Sequence, residues 1–319
     1  MTEPAPLFTL LNMDVYPYGL CVALAALLSC VLLCALEGGR FQKPAEGLRL
    51  ALYLLPAGLF FARLFYMLVR WRFIAVDYAA GFWYSAWLGG YSLAGASVGV
   101  ALGALLYARV SGRAAGDVLD IAAPPALLVL VGVRLAEGFT LDGVGLYVDN
   151  EALWRFPFAV PNPYGEYVLP VFAYEALAAL LICAGVLLWM RRAGRLRGDA
   201  ALTAMLLIGL TQIFLESLRA DDFLRFGFVR VNQLWGLLLA GVALVIWLKR
   251  FRPTRARAMA TAATFAVCAG LLVAVEFGLD KSTIPNEILY GVMVIALLVA
   301  GVVALRLRAA CEGRAAHGA

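Results

Sequence analysis

Long apolar runs, each closed by a short polar break, recur from one end of the chain to the other. A helix that crosses a bilayer needs about 20 mostly apolar residues. Nine segments reach that length: 18–36, 48–69, 87–108, 118–138, 168–190, 200–218, 231–248, 258–278 and 287–305. The pattern predicts an all-α, polytopic membrane protein with nine transmembrane helices. The fourth segment contains Pro124-Pro125, which predicts a kink. No second copy of the pattern is evident, which argues against a transporter built from obvious repeats. The longest polar break, 139–167, carries several prolines and the aromatics Tyr147, Trp154, Phe156, Phe158 and Tyr164. Tyrosine and tryptophan favour headgroup depth, so an ordered piece at the membrane interface is expected there.

Composition sharpens this picture. Of 319 residues, 64% are apolar and 15% charged, with a mean hydropathy of +0.87. An average soluble domain has about 45–50% apolar and about 25% charged residues. A soluble enzyme, a nucleic-acid-binding domain and a disordered chain are therefore excluded, and the surplus apolar surface must face lipid. The net charge of +5 follows topology. With the N-terminus outside, inward loops hold seventeen lysines and arginines and outward loops hold seven. That bias predicts a plasma-membrane protein with its N-terminus outside and its basic C-terminus in the cytoplasm. The N-terminus, with Glu3 and Asp14, lacks the basic region of a cleavable signal peptide. Six cysteines without CxxC spacing read as packing residues. No His/Cys/Asp cluster has ligand spacing, so neither a metal nor a cofactor is expected.

Ionisable residues inside spans are costly and are the first candidates for chemistry. Arg63, Arg134, Glu137, Glu175 and Glu216 fall there. Arg134 and Glu137 are three apart and share a helix face, as do Glu216 and Arg219. One reading is structural, with acids and arginines pairing to hold the bundle. The other is a polar pocket in the outer leaflet, where the arginine fork would take the phosphate of a phospholipid headgroup.

Seven short motifs, in order between residues 14 and 249, carry a resemblance. They are Tyr16-Pro17-Tyr18-Gly19-Leu20, Ala62-Arg63-Leu64-Phe65-Tyr66, Gly89-Gly90-Tyr91-Ser92-Leu93, Asp117 to Pro124 (DVLDIAAP), Tyr174-Glu175-Ala176, Arg195-Leu196-Arg197-Gly198 and Glu216-Ser217-Leu218-Arg219. The chain resembles the bacterial phosphatidylglycerol–prolipoprotein diacylglyceryl transferases. In the signature stretch, Arg134, Ala136 and Gly145 fit, Asp142 replaces a glutamate, and Glu137 replaces an asparagine. The family His-Gly-Gly is Ala94-Gly95-Ala96 here, and Gln212 stands where an arginine is expected. The sole histidine, His317, lies at the cytoplasmic end and cannot stand in.

The resemblance implies a bacterial plasma-membrane transferase that moves diacylglycerol from phosphatidylglycerol to the lipobox cysteine thiol of a prolipoprotein, with glycerol-1-phosphate as leaving group. Residues 1–250 would form the seven-helix core, and 251–319 two extra spans and a basic tail. It implies catalytic roles for Arg134, Glu137 and Glu216. Substrate contacts would fall to Tyr18, Arg63, Ser92, Asp142, Gly145, Gln212 and Arg219. Partners would be phosphatidylglycerol or another anionic phospholipid, a lipobox-containing prolipoprotein and the membrane, with no nucleic acid. Two alternatives stay open: a catalytically weak or silent homologue that binds phospholipid or lipoprotein precursor, and an unrelated transporter.

Overall fold

A computed structural model describes residues 6–10, 13–41, 43–71, 74, 90–140, 143–162, 164–191, 196–220, 225–226 and 229–317. Among them are nine helices long and apolar enough to cross a membrane. They are α1 (Pro17–Phe41), α2 (Pro44–Val69), α3 (Leu93–Ser111), α4 (Ala115–Glu137), α5 (Val171–Met190), α6 (Asp199–Ser217), α7 (Val231–Phe251), α8 (Arg255–Lys281) and α9 (Asn286–His317). Each expected span is matched by one helix, and α9 runs about three turns past the expected end at 305. The start of the third expected span, 87–89, lies outside the described residues. Its helix begins at Leu93, where the Ser92 hydroxyl accepts from the Gly95 amide as an N-cap. Prolines open α1 and α2, where a missing N–H costs nothing. Three antiparallel hairpins complete the description: β1 (Phe8–Leu10) with β2 (Met13–Val15), β3 (Val160–Pro161) with β4 (Tyr167–Val168), and β5 (Arg225–Phe226) with β6 (Val229–Arg230).

The helices form two compact units. The first comprises α1–α5 with residues 196–201, and the second comprises α6 from Leu202 onward with α7–α9. In the first, α2 and α3 lie backbone to backbone. A Cβ on Gly95, Gly99 or Gly103 would come within 2.2, 2.2 or 2.5 Å of the carbonyl oxygens of Phe61, Ala57 and Tyr53. Both sets repeat every four residues, so one glycine stripe meets one row of carbonyls, the close approach that small residues allow in membranes. α4 packs against both α1 and α5 and continues unbroken through Pro124 and Pro125. Ser29 of α1 donates to the Pro125 carbonyl at 2.9 Å, and the Cys183 thiol of α5 donates to that of Pro124 at 3.3 Å. In the second unit, Gly209 and Gly236 let α6 and α7 touch, and Leu206, Leu210, Trp247, Met293 and Leu297 share one core across α6, α7 and α9.

Candidate functional site

The C-terminal end of α4 and the first turns of α5 bring three ionisable side chains together. Arg134 is 5% exposed. Its Nη1 donates to Oε1 of Glu137, one turn on, at 2.6 Å. Its Nε faces Oε2 of Glu175, from α5, at 3.3 Å. Glu175 is 3% exposed, so two carboxylates flank a single buried guanidinium. The helical spacing of Arg134 and Glu137 foretold the first contact; the second depends on how α5 enters the unit.

That entry is set by the loop between α4 and α5, whose described residues hold one another through backbone hydrogen bonds and a stacked ring pair. Gly143 takes a positive φ of 68°, and its carbonyl accepts from the Phe172 amide. The Gly145 amide donates to Leu169 at 2.8 Å, and the Val148 amide donates to Tyr167. The Trp154 ring stacks on Tyr167 with centroids 4.5 Å apart, and its Nε1 donates to the Val148 carbonyl. The Tyr174 hydroxyl donates to the Pro157 carbonyl at 2.7 Å and ties α5 to the loop. Tyr147, Phe156 and Tyr164 stay exposed. Gly145 is thus a backbone partner of the strand that leads to α5. Asp142 lies outside the described residues.

Arg63 sits in the second half of α2, buried, with Nη1 donating to the Gly90 carbonyl at 3.2 Å and its guanidinium carbon 5.8 Å from the Tyr91 ring centroid. Gly90 has φ of 78°, and a Cβ there would meet the Tyr66 ring at 2.5 Å and Nη1 of Arg63 at 2.9 Å. Ser92 donates its amide to the Ala62 carbonyl, so the start of α3 is clamped onto α2 beside Arg63. Tyr18 is half-buried in the first turn of α1. Ala94 is wholly buried.

The second unit holds its own polar cluster. Glu216, 1% exposed at the end of α6, accepts at Oε1 from Nε2 of Gln212 at 3.0 Å and from Nδ2 of Asn232. Nε of Arg219 stands 4.0 Å from its Oε2. Arg230, at the start of α7, reaches back to the Arg219 carbonyl at 2.6 Å. Of the predicted residues, the structure therefore joins Arg134 with Glu137, and Glu216 with Gln212 and Arg219.

Two acids inside expected spans were not among the ionisable residues singled out there: Glu276, and Asp120, which entered only through the DVLDIAAP motif. Asp120 and Glu276 fall within 118–138 and 258–278 and belong with the ionisable residues of the spans. Asp120 is fully buried and accepts from the amides of Gly198 and Ala201, both at 3.0 Å, which caps the N-terminus of α6. Glu276 accepts from Nε2 of Gln233 at 2.6 Å. A plain inspection for acids in apolar runs could have found both.

Near the ends of α1 and α3, Arg113 donates to the fully buried Glu37 at 2.7 Å. Burial alone would lower the Arg113 pKa, but the hydrogen bond and charge of Glu37 outweigh it and hold it above the usual value.

Nine apolar helices among the described residues, with ionic groups buried in their spans, define a multi-pass membrane protein. Its sequence matches the family model for prolipoprotein diacylglyceryl transferase over residues 5–249, and the chain belongs to that family. Curated relatives named phosphatidylglycerol–prolipoprotein diacylglyceryl transferase include proteins of Halalkalibacterium halodurans, Bacillus licheniformis and Streptococcus pneumoniae. The first is 28% identical over 77% of this chain and 85% of its own length. The second is 29% identical over 77% of this chain and 92% of its own. The third, from serotype 4, is 30% identical over 72% of this chain and 87% of its own. The unrelated-transporter alternative is set aside by this membership.

Proposed function

We propose that this protein transfers diacylglycerol from phosphatidylglycerol to the lipobox cysteine of a prolipoprotein in a bacterial plasma membrane. The family match over residues 5–249 carries the proposal. In the reaction a bond forms between the cysteine sulfur and the glyceryl carbon of the donor. The bond from that carbon to the phosphate oxygen breaks, glycerol phosphate leaves with the electron pair, and the thiol proton passes to a base. Arg134 would take the developing phosphate charge, because a planar fork in a dry site is the natural partner for phosphate oxygens. Glu137, hydrogen-bonded to Arg134, would accept the thiol proton, and Arg63 would add positive charge. Glu216 would anchor the second polar cluster, with Gln212 and Arg219 as its partners. Tyr18 and Asp142 would line the path of the lipid, with Ser92 and Gly145 holding the backbone beside it.

One observation favours slow turnover. Position 94, where the resembling enzymes carry histidine, holds a fully buried alanine, and Gln212 brings no charge. Loss of one good general base costs about 10²–10⁴-fold. A homologue that binds lipid without turning it over is the second reading. Purified protein with phosphatidylglycerol vesicles and a lipobox peptide decides between them through release of glycerol phosphate. We expect release at a rate well below that of a relative carrying the histidine. Parity with that relative would sink the emphasis on Ala94, and bound lipid with no release would establish the silent homologue. The seventeen-to-seven bias supports a cytoplasmic C-terminus, so an impermeant thiol reagent on intact cells should leave Cys311 unlabelled.

A further inference from the structure

α8 and α9 lie beyond residues 5–249, the stretch that the family match covers. They nevertheless share a core with α6 and α7: Leu272 and Val275 of α8 and Met293 of α9 pack with Leu206, Leu244 and Trp247. At the polar end of this core α8 supplies a carboxylate, Glu276, whose Oε1 accepts from Nε2 of Gln233 at 2.6 Å. The same nitrogen faces the Ile213 carbonyl at 3.4 Å, and Oε1 of Gln233 accepts from the Arg230 amide at 3.0 Å. The two nitrogen protons therefore point at acceptors and the oxygen at a donor, which fixes the amide in one orientation. Gln233 is 5% exposed, so none of these bonds is readily exchanged for water. Its neighbour Asn232, 4% exposed, gives Nδ2 to Glu216. The first turn of α7 is thus held on two sides, by Glu216 of α6 through Asn232 and by Glu276 of α8 through Gln233.

We propose that Glu276 is a positioning residue for Glu216: by holding Gln233 it fixes the turn that presents Asn232 to the Glu216 carboxylate. α8, beyond the matched stretch, then helps to hold the polar cluster around Glu216. The role in turnover rests on the transferase reading above; the positional role does not. Displacing a group by about 1 Å far from the chemistry can cost about 10²-fold in rate. Glu276→Leu should therefore lower kcat about tenfold or more, with KM for the lipobox peptide little changed. Glu276→Gln, whose amide oxygen still accepts from Gln233, should hold kcat within about threefold, since the contact survives in neutral form. Gln233→Leu should match Glu276→Leu, and the double variant should be no worse than either, because both remove one link.

Hydrogen exchange on the full chain in detergent gives a readout independent of activity. In Glu276→Leu the segment 230–236 should exchange faster while α9 keeps its protection, and Glu276→Gln should match wild type. If Glu276→Leu fails to fold, Gln233→Leu and Glu276→Gln carry the same comparison. Unchanged exchange at 230–236 together with unchanged kcat in the leucine variants overturns the proposal. A kcat held at wild-type level with only the folded yield reduced also overturns it, since that is what a purely structural contact would give. Wild-type protein that releases no glycerol phosphate would end the transferase reading, and exchange would still decide the place of Glu276.

Discussion

In the first unit charge is buried at both ends of α4, and the two ends are built differently. Where α4 ends and α5 begins, Arg134 meets two carboxylates, Glu137 and Glu175, side chain to side chain. Where α4 begins, Asp120 meets two backbone amides of the turn into α6, and Asp117 faces Arg197. Both places contain buried acids. At Asp120, however, the partners are peptide N–H groups that have no other acceptor, because they open a helix. That arrangement is turned inward: each carboxylate oxygen accepts from a backbone amide. At Arg134 the partners are side chains of opposite sign, and two acids flank one guanidinium. An anionic ligand there would compete with carboxylates. Burial of charge alone therefore does not mark a site; what the charge is spent on does.

The largest effect should come from Arg134→Ala. Removing one donor aimed at developing charge typically costs about 10²–10³-fold in kcat, and we expect at least that loss of glycerol phosphate release. The variant also takes the guanidinium away from the buried Glu175 and the half-buried Glu137, and breaking a buried pair costs about 3–5 kcal/mol of stability. Arg134→Ala combined with Glu175→Gln relieves part of that cost, and its turnover per folded molecule should remain lost. Recovery of turnover in the combined variant would move Arg134 to the structural side of the comparison.

Glu137→Gln separates two roles of one carboxylate. As the base for the thiol, its loss should cost about 10²-fold or more. Arg134 would still be paired with Glu175 at 3.3 Å, so collapse of the cluster would not explain the drop. A rate that holds or rises would show that Glu137 only neutralises the arginine.

Much of this was legible in the sequence, and the rest was not, for identifiable reasons. Span number and rough limits follow from the length of apolar runs, which is fixed by bilayer thickness. The pair Arg134–Glu137 follows from helical spacing. The second partner, Glu175, comes from another helix, and no local spacing encodes it. Ser92, expected to touch substrate, accepts from the Gly95 amide as a helix cap, a role its position before an apolar run could have suggested. Gly95 entered the sequence reading only within Ala94-Gly95-Ala96, yet the structure uses it with Gly99 and Gly103 to bring α3 against the carbonyls of α2. Pro124-Pro125 suggested a kink; α4 runs on through both prolines and is tied there to α1 and α5 through Ser29 and Cys183.

Asp120→Ala should act on stability rather than on turnover. It strands the amides of Gly198 and Ala201, and an unsatisfied buried donor costs about 1–3 kcal/mol. The thermal unfolding midpoint in detergent should fall, while turnover per folded molecule stays near wild type. A collapse of turnover at an unchanged midpoint would place Asp120 with Arg134 and erase the contrast between the two ends.

The smallest effect should be that of Arg197→Gln. Arg197 lies 3.3 Å from Asp117, so a list of ion pairs would rank it with Arg134. Its side chain is 69% exposed, however, against 6% for Arg134. Exposed pairs gain little, because water screens the charges and ordering a long side chain costs entropy; about 0–1 kcal/mol is the usual range. Asp117 would also keep a favourable setting without Arg197, since it sits in the first turn of α4 near the positive end of the helix dipole. The midpoint should therefore barely move, and the small loss should shrink further in high salt. A loss as large as that of Asp120→Ala would mean that Arg197 holds the turn through Gly198 itself. The two aspartates of DVLDIAAP would then act as one unit, instead of one fastening the backbone while the other faces a solvated arginine.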